Sequence, residues 1–304
     1  MPTLTRRHLL RNGLLASTAT TLGLHSRSSL ASPWNRPVGL QLYSVRDLLP
    51  KDYSGTLQKI AAIGYREVEA AGFYGHSAAE VKAAMQQAGL ALVSSHCSYE
   101  DLSTKLDATI DFHRAVGCTT LVCPFPTFRD PARARGMSFQ QMARALTPDD
   151  LRYSAEQFNR IGERLHAAGM RFAYHNHTMA FVESNGRLPY DEMMRITDPR
   201  YVSFELDCGW AMVAGADPTV LLRRYADRIT MLHIKDFKRT KLPASVAAPP
   251  PAEELGHGFI DYGPIFAAAS PAHIRHYFVE QEAFNLPPME SLRIDFDSIQ
   301  RLKA

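Results

Sequence analysis

Cysteine is scarce in this chain: Cys97, Cys118, Cys123 and Cys208 are the only four in 304 residues, and none forms a CxxC pair. A disulfide scaffold is thereby excluded. No apolar run approaches the roughly 20 residues of a membrane-spanning helix. No basic run or patch argues for nucleic acid as a partner. Acid is missing from the first 46 residues, where Arg6, Arg7, Arg11, Arg27, Arg36 and Arg46 are met before Asp47, the first carboxylate. What is there is apolar: 45% of residues are hydrophobic and 21% charged, too apolar for disorder and enough for one large core or two small ones. Lys and Arg total 34 against 31 Asp and Glu, a net charge of +3. Setting aside the four arginines of residues 1–31 leaves 30 against 31, close to neutral.

Those first residues read as an address. Thr5-Arg6-Arg7-His8-Leu9-Leu10-Arg11 is a twin-arginine sequence, followed by a weakly apolar stretch from Gly13 to Leu24 and a Ser29-Leu30-Ala31 cleavage-like triplet. A basic surface helix explains neither the missing acids nor the triplet. Residues 1–31 are therefore expected to be a twin-arginine signal peptide, with residues 32–304 as a single domain in the periplasm, free of the membrane after cleavage. Twin-arginine export suits a protein that folds around its cofactor before crossing, and phosphorylated sugars are scarce beyond the inner membrane. Cleavage after Ala31 leaves 273 residues, near the roughly 250 of one (β/α)8 barrel.

The rest of the chain repeats one unit: an amphipathic helix, a glycine, then a short apolar strand ending in a polar residue. Gly64, Gly89, Gly117 and Gly169 punctuate the helices. Strands are expected at Val38–Tyr43, Tyr65–Glu69, Leu90–His96, Thr119–Cys123, Met170–His175, Val202–Asp207, Ile229–Ile234 and Tyr277–Glu280. Strands alternating with helices at this spacing predict an α/β fold, and eight of them favour a closed (β/α)8 TIM barrel. An open doubly wound sheet would need a glycine-rich phosphate loop after its first strand, and Tyr43-Ser44-Val45-Arg46 is not one. Two insertions, residues 124–148 and 237–258, each follow a strand and are expected on the C-terminal face, where barrel enzymes keep their sites.

Ionisable residues recur at strand ends, where burial is costly unless they are used or paired. His175, Asp207, His233 and Glu280 close four consecutive strands. Two imidazoles and two carboxylates converging on one rim would suit Mn²⁺, Zn²⁺, Co²⁺ or Fe²⁺ better than Ca²⁺. Each has a structural alternative: a hydrogen-bonded core histidine, a helix cap for Asp207, an ion pair for Glu280. Four such coincidences on adjacent strands are harder to credit than one site.

In that setting the chain resembles the sugar phosphate isomerase/epimerase family with the xylose isomerase-like TIM barrel, which includes tagatose and psicose 3-epimerases, hydroxypyruvate isomerases and inosose dehydratases. The resemblance spans about residues 38–302 and is carried by Val38-Gly39-Leu40-Gln41-Leu42-Tyr43-Ser44, Glu67-Val68-Glu69-Ala70-Ala71-Gly72-Phe73-Tyr74-Gly75, Tyr174-His175-Asn176-His177, Glu205-Leu206-Asp207, Trp210, Ala214-Gly215-Ala216-Asp217-Pro218, His233-Ile234-Lys235-Asp236 and Val279-Glu280-Gln281. It implies one divalent ion, Mn²⁺ first and Zn²⁺, Co²⁺ or Mg²⁺ otherwise, held by His175, Asp207, His233 and Glu280. It implies a homodimer in many members.

The family's common step is removal of a proton next to a carbonyl to give an enediolate. Glu280 is the first candidate base and His175 or His177 the second. Lys235 is placed to donate to the developing oxyanion, with a salt bridge to Asp236 or Glu205 as its structural alternative. His96 is a candidate proton shuttle. Glu69, His177, Trp210, Phe73 and Tyr74 are candidates for holding a sugar. Many family epimerases carry Glu where His175 stands, so a symmetric two-glutamate epimerisation fits less well than a one-base reaction or an elimination. The leading expectation is a metal-dependent isomerase or epimerase of a non-phosphorylated sugar. A lyase acting on 3-keto-glycosides is the alternative, with a non-catalytic sugar-binding barrel and an endonuclease IV-like phosphodiesterase behind them.

Overall fold

The computed structural model describes residues 33–183, 186–244 and 249–302. The expected signal segment lies outside them. Eight parallel strands close into a barrel: Gly39–Gln41, Glu67–Ala70, Ala91–His96, Thr120–Cys123, Arg171–His175, Val202–Asp207, Ile229–Ile234 and His276–Val279. Each expected strand is present, shifted by at most two residues at either end. Strand one pairs with strand eight through Gly39 and Phe278, which closes the cylinder. A Cβ on Gly39 would lie 2.5 Å from the Phe278 ring, so the seam needs glycine for the ring to fit.

Helices α1 (Tyr53–Ile63), α2 (Ala78–Ala88), α3 (Tyr99–Thr104), α4 (Leu106–Val116), α5 (Phe139–Ala145), α6 (Pro148–Ala167), α7 (Pro189–Ile196), α8 (Cys208–Val213), α9 (Pro218–Arg224), α10 (Tyr262–Ala268) and α11 (Pro288–Arg301) surround it. Their boundaries are written locally. The Ser77 and Glu80 side chains form a capping box at the start of α2, and Thr147 and Asp150 form another at α6. Gly89 and Gly117 end α2 and α4 at φ 67° and 91°, where a side chain would be strained, and each N–H returns to the last turn. Leu57, Ile60 and Ile63 of α1, like Val81 and Met85 of α2, turn inward on the helical period. Among the described residues no helix is long and apolar enough to cross a membrane.

The barrel interior is layered. Val122, Ala173, Met231 and Phe278 form a dry plug with Val93 beside it. Period-two alternation then places His175 two residues above Ala173, His233 above Met231 and Glu280 above Phe278. The plug closes the floor, so the polar layer above it opens only toward the C-terminal face.

Both insertions follow strands, as expected. The second forms a short antiparallel ribbon in which Asp236–Phe237 pairs with Ala252–Glu253. Asp236 is its anchor: its carboxylate accepts the N–H groups of Phe237, Gly256, Gly258, Phe259 and Ile260 at 2.9–3.1 Å. A Cβ on Gly258 would meet that carboxylate at 2.1 Å, so the loop wraps as tightly as glycine permits.

Behind this loop Asp295 of α11 is buried, accepting from Leu255 N at 2.7 Å while its second oxygen has no partner. Burial, reinforced by the Glu254 and Asp236 charges, pushes its carboxyl up to about 8. An unfolded aspartate titrates near ~3.9. The folded state therefore keeps a proton that the unfolded chain releases, and stability present below that range is lost as pH rises toward about 8. Asp295→Asn keeps the acceptor for Leu255 and removes the titration. In thermal denaturation, its melting temperature should gain on the parent steadily between pH 5 and 8; a constant difference across that range would show that the carboxyl is not held protonated.

Candidate active site

The strand ends assemble a buried lattice of acids and imidazoles. Glu205 Oε2 lies 2.9 Å from His175 Nδ1, 3.0 Å from His96 Nε2 and 3.2 Å from His233 Nε2. Glu69 Oε1 lies 2.8 Å from His233 Nε2 and 3.0 Å from His96 Nε2, and accepts from Gln41 Nε2 at 2.6 Å. The other ring nitrogen of His233 meets Glu280 Oε2 at 2.9 Å, and Asp207 Oδ2 is 3.9 Å away. Above these, the Lys235 ammonium reaches Glu280 and Glu282 at 2.6 Å and Asp207 at 2.8 Å.

Local folding fixes each carboxylate. Asp207 is the N-cap of α8: its Oδ1 accepts Trp210 N at 2.7 Å, which leaves Oδ2 facing Lys235 and His233. The two roles weighed for Asp207 are thus filled by its two oxygens. Gly209 in the same turn lets the Lys235 stem pass, since a Cβ there would meet Lys235 Cγ at 2.3 Å. Trp210 Nε1 donates to Glu282 at 2.9 Å, and the Lys235 ammonium sits 5.1 Å from the Trp210 ring centre.

The electrostatics follow from burial set against neighbours. Burial favours the neutral imidazole of His233, yet Glu205 and Glu280 hold its pKa well above the ordinary value. His96 is raised to about 9 against the same burial penalty by Glu69 and Glu205. His175 is depressed well below the ordinary value by burial and by the His233 charge, and His177 is lowered to about 3 by burial and by Lys235. Asp207 is raised to about 6 by burial, with Lys235 and His233 pulling the other way. Glu280, despite burial, is held well below the usual carboxylate range by Lys235 and His233.

This arrangement suits a cation. His96, His175, Glu205 and His233 offer ligand atoms within 4.8 Å of one another, and so do Asp207, His233 and Glu280. Glu69 Oε2 and Glu205 Oε1 are buried acceptors without a hydrogen-bond partner. Imidazole nitrogen mixed with carboxylate oxygen is the donor chemistry of a borderline divalent ion. The expected quartet is divided between the two groups: Asp207, His233 and Glu280 share one, His175 joins the other, and His233 belongs to both. The groups abut, since His175 Nε2 is 3.8 Å from Asp207 Oδ2.

A cavity of about 850 Å³ opens on the lattice, lined at its base by His96, His175, His177, Trp210, Glu280 and Glu282. Other expected residues are placed elsewhere. Glu69 is completely buried beneath the cavity, where it braces Gln41, His96 and His233 rather than facing a sugar. Phe73 packs its ring on Phe112 and His113, at 4.7 and 5.4 Å between centres, and is not among the cavity-lining residues. Lys235 pairs with neither Asp236 nor Glu205: Asp236 is spent on backbone N–H groups, and the ammonium turns to Asp207, Glu280 and Glu282. Sequence reasoning missed Glu205 and Glu282 as site residues. Glu205 was legible by alternation, since it shares the inward face with Asp207 two residues on.

The model of the xylose isomerase-like TIM barrel family matches residues 57–302. The chain belongs to that family. Its relatives include inosose dehydratases, from Geobacillus kaustophilus (strain HTA426), 27% identical over 69% of this chain and 73% of that protein, and from Clostridium botulinum (strain Alaska E43 / Type E3), 24% identical over 76% and 82%. Among solved structures, a sugar phosphate isomerase/epimerase from Parabacteroides distasonis ATCC 8503 superposes with a TM-score of 0.68 at 26% identity, covering 86% of this chain and 96% of that one. The zinc-bound IolI protein shares the fold, with a TM-score of 0.66 at 11% identity over 86% and 96%. The dehydratase and isomerase/epimerase names are those of enzymes.

His233 is the residue the two groups share, so its loss weakens both. Equilibrium dialysis against Mn²⁺, Co²⁺ or Zn²⁺ should give one tightly bound ion per chain, and His233→Ala should weaken binding by at least about tenfold, the scale on which even outer partners of a ligand act. Unchanged affinity in a folded His233→Ala protein would remove the lattice as a metal site.

Proposed function

We propose that this protein removes a proton next to a carbonyl of a non-phosphorylated sugar derivative, with the help of one divalent metal ion, and that the resulting enediolate completes an elimination. The observation that carries this reading is the pairing of Glu280 with Lys235: a buried carboxylate on the cavity wall, 2.6 Å from a buried ammonium, beside the candidate cation site. One group can take a proton while the other stabilises the oxygen on which charge develops.

His175, His233, Asp207 and Glu280 are the proposed ligands, with Glu205 and His96 close enough to join or orient them. A bound divalent ion would polarise the substrate carbonyl and stabilise the enediolate. Glu280 takes the proton from the carbon alpha to the carbonyl. Lys235, released in part from Glu280, turns its ammonium toward the oxyanion; its departure also relieves the charge that holds the Glu280 pKa down, so the base strengthens as it is needed. Trp210 and Glu282 keep the lysine in reach. His177, on the cavity wall, is held as a neutral imidazole.

In a 3-keto-glycoside the C2–H bond breaks, a C1–C2 double bond forms and the C1–O bond to the aglycone breaks. The aglycone oxygen leaves with a proton, and no oxidant is consumed. The dehydratase relatives support elimination, as does His175, an imidazole where a second carboxylate would serve a two-base epimerisation. The isomerase or epimerase reading shares the first step and is favoured by the Parabacteroides distasonis neighbour. Among the described residues neither Arg nor Lys lines the cavity, and Lys235 beside it is balanced by three carboxylates, which supports an uncharged substrate over a phosphorylated one. The expected export signal of residues 1–31 supports action in the periplasm.

The test is solvent exchange. Metal-loaded protein incubated in D₂O with methyl 3-keto-glucoside should place deuterium at C2 of the recovered substrate, through reversal of the proton abstraction, and release methanol from the fraction that eliminates. Glu280→Gln should lower exchange by about 100-fold or more. Lys235→Met should lose less exchange than release. Absence of exchange into any keto-sugar would reject the elimination and the isomerisation together.

A further inference from the structure

We infer that the outer half of the cavity is a built subsite for a planar aromatic group carried by the sugar, so that the preferred substrate is an aryl keto-glycoside; this rests on the elimination reading above and names its leaving group. The cavity has two chemistries. Its floor is the charged lattice, while one wall is the insertion after strand four, which presents Pro124, Phe125, Pro126, Phe128, Pro131 and Met142. Proline has no N–H to offer, and apart from Thr127 the side chains this wall presents carry no hydrogen-bond donor, so it is mainly an apolar surface rather than one built to bind sugar hydroxyls. Tyr99 lines the cavity as well, with its hydroxyl engaged by Tyr153, and Trp210 stands at the junction of floor and mouth. Ser98, Ser103 and Thr104 supply the hydroxyls near α3, so polarity returns on the side of Tyr99.

Size points the same way. About 850 Å³ lies in the range that encloses a drug-sized ligand, several times the volume of one pyranose. A monosaccharide seated on the floor would leave the aromatic wall facing water, at a cost that an aryl aglycone would relieve.

The wall is also held from behind. Arg133 lies 4.8 Å over the Phe128 ring and donates to Asp150 Oδ2 and Ala145 O, both at 2.6 Å. Asp150, buried at the start of α6, also accepts Arg129 N at 3.0 Å and Thr147 N at 2.9 Å. Ser154 binds both backbone groups of Thr127 at 2.9 Å. Three side chains thus fix an apolar surface that would otherwise collapse on itself, which is what preorganisation for an apolar ligand requires.

The experiment compares metal-loaded protein acting on phenyl and methyl 3-keto-glucosides, with binding of unoxidised phenyl and methyl glucosides measured by calorimetry. The phenyl compound should be favoured about tenfold or more in kcat/KM, mostly through KM, as burying one ring predicts. Phe125→Ala and, separately, Met142→Gln should shrink that preference to about threefold or less while leaving turnover of the methyl compound within about twofold, a loss expected of deleted ring contact. Equal kcat/KM for phenyl and methyl compounds, with turnover of both, would overturn the aryl subsite and leave the elimination standing. Tight binding of phenyl over methyl glucoside that Phe125→Ala abolishes, without turnover of either keto form, would keep the subsite and reject the elimination. No preference in binding and no turnover would reject both.

Discussion

The structure turns on the cost of burying charge. Glu69, Glu205, Asp207 and Glu280 stand almost without solvent at the top of a closed barrel, and each must meet positive charge or a hydrogen-bond donor. The chain meets this demand by interlocking: Glu205 touches three imidazoles, His233 is gripped from both ring nitrogens, and Lys235 spans three carboxylates. Such a lattice is rigid because removing any member strands its neighbours. It is also electrically poised, since imidazolium and a divalent ion are alternative ways of balancing the same oxygens.

The barrel was legible in the sequence because it is written in local signals. Glycine after four of the amphipathic helices, and apolar strands that end in ionisable residues, together mark eight units, and the closed order of strands follows from their number. The site was legible only at those ends. His175, Asp207, His233 and Glu280 stand out because they terminate apolar runs. Glu205 sits inside a run and reads as an interruption, although its spacing from Asp207 puts it on the same inward face. Glu282 lies past the strand, where no period applies, and is recognisable only from its contacts in the folded chain, with Trp210 and Lys235. Depth is the other quantity that spacing does not carry. Glu69 and His96 end neighbouring strands, yet Glu69 lies sealed under the cavity and His96 lines it.

Asp236 shows how a motif can be functional without touching substrate. In His233-Ile234-Lys235-Asp236 the first and third residues face the lattice, while the fourth gathers five backbone N–H groups from the following loop. The loop it folds carries Glu254, which accepts from Ser291 at 2.6 Å and from Gln281, the neighbour of Glu280, at 3.4 Å. One four-residue stretch therefore sets the imidazole, the ammonium and the backing of the strand that ends at Glu280.

The same division of labour separates reaction from selection. The lattice depends on alternation along strands, so its residues can change little without inverting a face or stranding a charge. The insertion after strand four is tied to the barrel at Asp150, Ser154 and Arg133, outside the lattice, and its inner face is free to vary in shape while those ties persist. An enzyme fold that applies one reaction to different substrates is served by this separation: a floor fixed by electrostatics, and a wall whose chemistry is set by which side chains a firmly anchored loop turns inward. In this chain the wall is mainly proline, phenylalanine and methionine, and the selection proposed for it is for apolar surface attached to the reacting ring.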